Sequence, residues 1–324
     1  MSGNSLADDR GLEGKISRCD FLKLIFAASS AITLFPLIQL TRIYGPIVSD
    51  ADVIDRYRVG EVDKYGILKL YPTKTGGLEW FNKWDNGKSR TLEEGDKDPY
   101  DARFHLSCGQ PNIPLLIDGT GRAIVQAFTS SARLFVSGPW LNTEMTVYVK
   151  GMTALRDVQL RSRSNHEKDC CFGNYGARWL RDRDKKVSIE CEPMHPFYAR
   201  HLDEKSYNGF SLGHYVGFKQ VTKTIEGGNK VKVEGWFNDS ANDSMDQTKW
   251  IKQTEFVFDG KNINSIVVQP NDPISVGCTG KGDNIAPNFN QKTLWLNSGQ
   301  WCWIRANHID KTRFRYFSVR EIAI

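Results

Sequence analysis

The sequence predicts an all-β protein, a sandwich or barrel of short antiparallel strands, behind an N-terminal signal or anchor segment. Three observations predict it. Short runs with period-two alternation, or with β-branched and aromatic enrichment, recur along the chain after Tyr65. Turn residues punctuate them, as at Asp118-Gly119-Thr120-Gly121, Gly227-Gly228-Asn229 and Asp259-Gly260. Helical periodicity is nearly absent beyond the leader, and only Asp98 to Leu106 suggests a short helix. Many short strands with regular turns are the pattern of a sandwich or barrel.

The predicted strands are Ala123 to Phe128, Met145 to Val149, Val187 to Cys191, Lys230 to Trp236, Glu255 to Phe258 and Phe314 to Val319. Glu226-Gly227-Gly228-Asn229, between Val221–Ile225 and Val231–Val233, is the clearest hairpin turn. A long stretch from Gln269 to Lys292 is rich in Asn, Asp, Gly and Pro and reads as a binding loop or one pinned by Cys278.

The leader has its own logic. Ser17-Arg18-Cys19-Asp20-Phe21-Leu22-Lys23 precedes an apolar run from Leu24 to Leu40. A basic cluster ahead of a short apolar segment is the layout of an export signal. The heptad resembles the twin-arginine motif, with Cys19 in place of the second arginine. The run, about 17 residues, suits a signal core and is marginal for a membrane span. Two readings stay open: cleavage near Ser49-Asp50-Ala51, or retention as an anchor through residues 24–40. Three regions are expected: 1–49 as signal or anchor, 50–64 as a charged linker, and 65–324 as the folded domain. The expected location is extracellular or at the cell surface, with membrane contact only through an uncleaved N-terminal segment.

Composition narrows the function classes. The 324 residues carry a net charge of +5, modest for that length. No dense basic stripe or recognition-helix signature argues for nucleic acid. Of seven cysteines, Cys19 lies in the leader, which leaves Cys108, Cys170, Cys171, Cys191, Cys278 and Cys302. An even set in an exported chain favours disulfides. The expected pairs are Cys278 with Cys302, and Cys170 or Cys171 with Cys191. Asn238-Asp239-Ser240 and Asn242-Asp243-Ser244 match the glycosylation acceptor pattern.

The densest polar constellation spans Gln159 to Tyr198. On a strand, Gln159, Arg161, Arg163 and Asn165 share one face. Arginines there require carboxylates, sulfates or phosphates, which their planar forks bind in pairs of hydrogen bonds. Glu190 and Glu192 alternate likewise, so a structural Arg–Glu lattice competes with a ligand groove. Tyr175, Arg178, His195, Tyr198, Lys219, Glu234 and Trp236 join the candidates, since aromatic rings with polar edges suit sugars.

Two chemistries fit these residue types. Elimination from a uronic acid needs its carboxylate neutralised, a base and a proton donor. Arg163, with Arg161 and Asn165, supplies the first, His166 or His195 the second, and Tyr175 or Tyr198 the third. Glycoside hydrolysis by paired carboxylates would use Glu190 and Glu192.

Certain segments carry a family resemblance. They are Leu78-Glu79-Trp80-Phe81, Trp84-Asp85-Asn86-Gly87, Asp98-Pro99-Tyr100-Asp101, Arg161 to His166, Glu192 to Tyr198, Lys219 and Phe317 to Ile322. With them the chain resembles the concanavalin-A-like lectin/glucanase superfamily, and within it exported jelly-roll proteins related to polysaccharide lyases. Arg161-Ser162-Arg163 lacks the central glutamate of the Arg-x-Glu-x-Arg strand in alginate-lyase relatives. Glu190-Cys191-Glu192 falls short of the glucanase Glu-x-Asp-x-Glu. The resemblance implies two antiparallel sheets, a concave face that holds a glycan, and a Ca2+ ion with no assigned ligands. The expected function is binding of an acidic uronate-type polysaccharide or cell-envelope glycan, with β-elimination the preferred reaction if the chain is catalytic. A non-catalytic lectin-like or envelope-interaction domain is the alternative.

Overall fold

The computed structural model describes residues 61–108, 113–165, 174–181, 186–194, 197–203, 209–239, 247–260, 267–268 and 296–324. At residues 108, 193–194, 197–200, 202–203 and 267–268 only the backbone is described. Strands in chain order are β1 (Glu79–Phe81), β2 (Arg90–Leu92), β3 (Lys97–Asp98), β4 (Asp101–Cys108), β5 (Leu115–Ile117) and β6 (Ala123–Val125). Then come β7 (Thr129–Trp140), β8 (Thr143–Lys150), β9 (Asp157–Ser164), β10 (Asn174–Leu180), β11 (Val187–Met194) and β12 (Phe197–Asp203). The last are β13 (Val216–Ile225), β14 (Lys230–Asn238), β15 (Ile251–Phe258), β16 (Val267–Val268), β17 (Gly299–Ile309) and β18 (Thr312–Glu321).

These form two nine-stranded antiparallel sheets. Sheet I runs β15-β14-β13-β8-β18-β6-β5-β2, with β1 paired to β18. Sheet II runs β16-β12-β11-β10-β9-β17-β7-β4-β3. The fold is an antiparallel β-sandwich, as the alternation predicts. The inward residues of both sheets make one core: Val158, Leu160, Tyr175, Ala177, Trp179, Ile189 and Ile304 of sheet II meet Met145, Val147, Phe218, Val233 and Phe314 of sheet I. Burial of such apolar area is the main stabilising term of the fold. Polar ties cross the core, Ser162 of β9 donating to Thr222 of β13 at 2.7 Å. Gln220 of β13 accepts from the Ala177 amide at 2.8 Å and donates to the Tyr175 carbonyl at 3.0 Å.

Among the places where the chain changes sheets are two sharp corners, Leu141-Asn142 between β7 and β8 and Asp310-Lys311 between β17 and β18. The Glu226–Gly228 turn joins β13 to β14 as the sequence predicts, with Gly227 at φ 67° and Gly228 at φ 95°. Glycine carries no steric penalty in that left-handed region.

Three expectations are corrected. Asp98 to Leu106 is not helical, because Asp101–Cys108 is strand β4, with Phe104 and Leu106 buried in the core. Cys191 and Cys302 are buried free thiols, so neither expected disulfide is formed; both side chains face the apolar core. Cys170, Cys171 and Cys278 lie outside the described residues, as does the loop from Gln269 to Lys292. Asn238 is buried and donates to the Tyr148 hydroxyl at 3.2 Å, so it offers no exposed glycosylation acceptor.

Candidate functional site

The outer face of sheet II carries one continuous cross-strand row. Registers place Lys97 (β3) opposite His105 (β4), His105 opposite Phe135 (β7), and Phe135 opposite Trp303 (β17). Trp303 then faces Arg161 (β9), Arg161 faces Gly176 (β10), and Gly176 faces Glu190 (β11). Seven strands each contribute one residue to the row. Their alternate neighbours, such as Leu106, Leu134, Ile304, Leu160 and Ile189, point into the core.

The Arg161 end of the row is a charge lattice. Arg161 donates to Glu190, to Gln159 at 2.8 Å and to Asn174 at 3.1 Å, and all four side chains are buried. Asn174 also donates to Glu192 at 2.5 Å. Arg178 is bound by Asp157 at 3.0 Å and lies 3.8 Å from Glu190. Burial opposes its charge, but Asp157 and Glu190 outweigh that and hold its pKa above the ordinary value. Gly176 makes the lattice geometrically feasible. A Cβ there would stand 2.3 Å from the Arg161 Cδ, so only glycine lets the arginine cross β10 to Glu190.

The other end is aromatic and opens into a cavity of about 550 Å³ lined by Glu94, Gly95, Lys97, His105, Leu106, Ser107, Arg133, Phe135, Trp301 and Trp303. His105 stacks on Phe135 at 4.8 Å, and Phe135 on Trp303 at 5.4 Å. The Arg161 guanidinium sits 5.9 Å from the Trp303 ring, which joins the aromatic and charged halves. Trp301 stands at right angles to both His105 and Phe135, at 4.7 and 6.1 Å. It is half-buried, whereas Phe135 and Trp303 are buried. Burial, helped by the Lys97 charge, pulls the His105 pKa down to about 4, so the imidazole is neutral near pH 7.

The structure separates the residues expected to share one groove. Arg161, Arg178, Glu190 and Glu192 are together on this face, locked in the lattice. Asn165 lies at the end of β9, where its Oδ1 accepts from the Gln300 amide at 3.0 Å. Arg163 leaves the face. A bulge between β9 and β17 opposes Trp301–Trp303 to Arg161–Ser164, and Arg163 takes φ 52°. Its guanidinium turns to the β7–β8 corner, donating to the Leu141 carbonyl at 2.7 Å, Asn142 at 3.0 Å and Thr224 at 2.8 Å. Burial lowers its pKa to about 10.

Tyr175 points into the core against Phe258, at 5.3 Å. Lys219, Glu234 and Trp236 belong to sheet I, on its outer face. There Lys219 binds Glu144 at 2.5 Å, and Glu234 accepts from Tyr71 at 2.8 Å and from Trp236 at 3.1 Å. The 65–73 segment covers that face, with Ile67 and Leu70 packed on Tyr148, Val221 and Trp236. His166 and His195 lie outside the described residues, and Tyr198 is described in backbone only. Among the described residues no group of three or more His, Cys, Asp or Glu side chains is placed to hold a metal ion, so no ligand set for the expected Ca2+ is found there.

Sequence reasoning missed the aromatic half. Its signal was present: Trp301-x-Trp303-x-Arg305 alternates with Cys302 and Ile304, and Arg133-x-Phe135 with Leu134. Such strings mark an aromatic and basic outer face over an apolar inner one.

No protein-family model matches the chain, and no curated protein matches it. Among solved structures it is similar to a glycosyl hydrolase family protein from Mycobacterium fortuitum, at 10% identity over 74% of this chain and 97% of that one, with a TM-score of 0.37. It is also similar to a beta-1,3-glucanase from Mycobacterium marinum, at 10% identity over 74% and 97%, with a TM-score of 0.33. A third is the winged bean acidic lectin complexed with methyl-alpha-D-galactose, at 6% identity over 72% and 98%, with a TM-score of 0.32.

Proposed function

We propose that the chain is an exported carbohydrate-binding protein that holds an acidic, uronate-type polysaccharide in the cleft on sheet II. The observation that carries this reading is the cleft itself. Its volume falls within the range of small-ligand pockets, about 300–1,000 Å³. A half-buried indole, Trp301, offers part of its flat apolar surface to the C–H face of a sugar. Lys97, Arg133, His105 and Ser107 around it supply donors for hydroxyl and acid groups. The buried Arg161–Glu190 lattice beside it keeps the platform rigid.

The leader supports export, with residues 24–40 as signal core or anchor, and a cell-envelope glycan suits that location. The reading is binding without turnover. Arg163 and Tyr175, the neutralising and donating groups of the elimination scheme, are buried in the interior. Glu190, half of the hydrolytic pair, is committed to Arg161.

The test is retention of the folded protein on immobilised acidic and neutral glycans, with the eluted polymer checked for the ultraviolet absorbance of unsaturated uronates. We expect retention on a polyuronate, no new absorbance, and loss of retention in Trp301→Ala at unchanged melting temperature. Wild-type protein that passes every column unretained, or Trp301→Ala that binds as well as wild type, overturns the reading. Accumulating absorbance restores a lyase.

A further inference from the structure

We infer that Arg133 is the acid-reading residue of the cleft: its guanidinium receives the anionic oxygens of the ligand, a carboxylate or a sulfate ester. This rests on the glycan-binding reading and adds the element that selects charge.

Ion pairing on one sheet face sets Arg133 apart. Arg161 and Arg178 each meet a carboxylate there, Glu190 and Asp157. Arg133 also lines the face and is half-buried, but has no carboxylate within ion-pair distance among the described residues. Its Nε is buried and makes no hydrogen bond among them. Directly opposite it on β17 stands a second cation, Arg305, whose Nε is turned to Asn307 at 2.8 Å. Like charges facing one another across strands are destabilising. A partly desolvated guanidinium without an acid costs further free energy. An anion in the cleft relieves both costs, and a planar two-oxygen acid matches the guanidinium fork.

The spacing suits one sugar. Arg133 lies two residues from Phe135 on β7, so the two stand about 7 Å apart along the strand. A ring held on the aromatic floor therefore presents its acid substituent toward Arg133.

The experiment compares polymers that differ only in charge: polygalacturonate against its methyl ester, and dextran sulfate against dextran. Affinities are measured by calorimetry at fixed ionic strength for wild type, Arg133→Gln and Arg133→Lys, each checked for a melting temperature no lower than that of wild type. A charge-assisted pair of hydrogen bonds predicts roughly tenfold tighter binding of the charged member by wild type. Arg133→Gln should bind charged and neutral members alike, because the group that prefers the charged one is gone. Arg133→Lys should retain part of the preference, because it keeps the charge and loses the fork. Preference for polygalacturonate alone identifies the acid as carboxylate; preference for dextran sulfate alone identifies it as sulfate. An undiminished preference in Arg133→Gln, or no preference in wild type, overturns the assignment while leaving the glycan reading intact. Wild type that binds none of the four overturns both.

Discussion

Arg161 and Glu190 stand on strands that are not neighbours, and their ion pair closes over Gly176 on the strand between them. The pair therefore depends on a residue that takes no part in it. Replacing Gly176 by alanine would place a methyl group 2.3 Å from Cδ and 2.6 Å from Nε of Arg161. The arginine would swing away and leave Glu190 buried without its main partner.

Gly176→Ala should therefore destabilise the fold by roughly 3–5 kcal/mol, the cost of breaking one side of a buried pair. Urea denaturation of the single variant measures this. In an Arg161→Ala background the same substitution should cost less than about 1 kcal/mol, since the atoms it strikes are gone. Additive effects in the double variant would show that Gly176 acts through something other than Arg161.

Arg163 is a corner brace. It holds the Leu141 carbonyl, Asn142 and Thr224 together from a left-handed backbone conformation. Arg163→Ala should lower stability by about 2–4 kcal/mol through lost hydrogen bonds of a buried charged donor. Glycan affinity of the protein that remains folded should stay unchanged. A variant with wild-type stability and no binding would return Arg163 to the ligand site.

Glu144 gathers two buried cations. Lys219 approaches it at 2.5 Å and Arg320 at 2.6 Å, and the Leu70 amide donates to it at 3.0 Å. Burial pushes its carboxyl up, but Arg320 and Lys219 outweigh that, and the pKa lies below the ordinary value. The unfolded value is about 4.3. A lowered folded pKa contributes stability that is complete above the unfolded value and fades as pH falls toward the folded one. Glu144→Gln should thus be less stable than wild type by about 3 kcal/mol at pH 7. The gap should narrow steadily below about pH 4.3. Denaturation midpoints from pH 7 to pH 2.5 test it, and a constant gap refutes the linkage.

The thiols give an independent check on packing. Cys191 and Cys302 are buried, and burial raises both far above the ordinary thiol pKa. Iodoacetamide at pH 8 should leave both unmodified in the native protein and label both once it is unfolded without reductant. Peptide mass spectrometry reads the two sites directly. Recovery of either cysteine in a disulfide-linked peptide would contradict the fold around it.

Several features were legible in sequence because they are local. Residue pattern located β6, β8, β11, β14, β15 and β18, and the Glu226–Gly228 turn was readable from its glycines. Alternation put Glu190 and Glu192 on one face and set them against arginine, which is the lattice observed. The helix expected at Asp98 to Leu106 failed because the segment pairs with β7, a strand more than twenty residues away in sequence. Local pattern is overridden wherever non-local pairing offers a better hydrogen-bonded partner.

Tertiary structure decided the site. Strand parity says which residues of one strand share a face, but not which strand lies beside it or which sheet it joins. Lys219, Glu234 and Trp236 sit on sheet I and Arg161 on sheet II, so one groove could not contain them all. A single bulge turned Arg163 off the face that parity assigned it, because one extra residue reverses the alternation beyond it. His105, Phe135 and Trp303 are scattered over about two hundred residues of sequence and become one row only when β4, β7 and β17 pair. The sequence by itself determined strands, turns and inner and outer faces; the order and register of the strands, set by long-range hydrogen bonding and packing, determined which outer faces met.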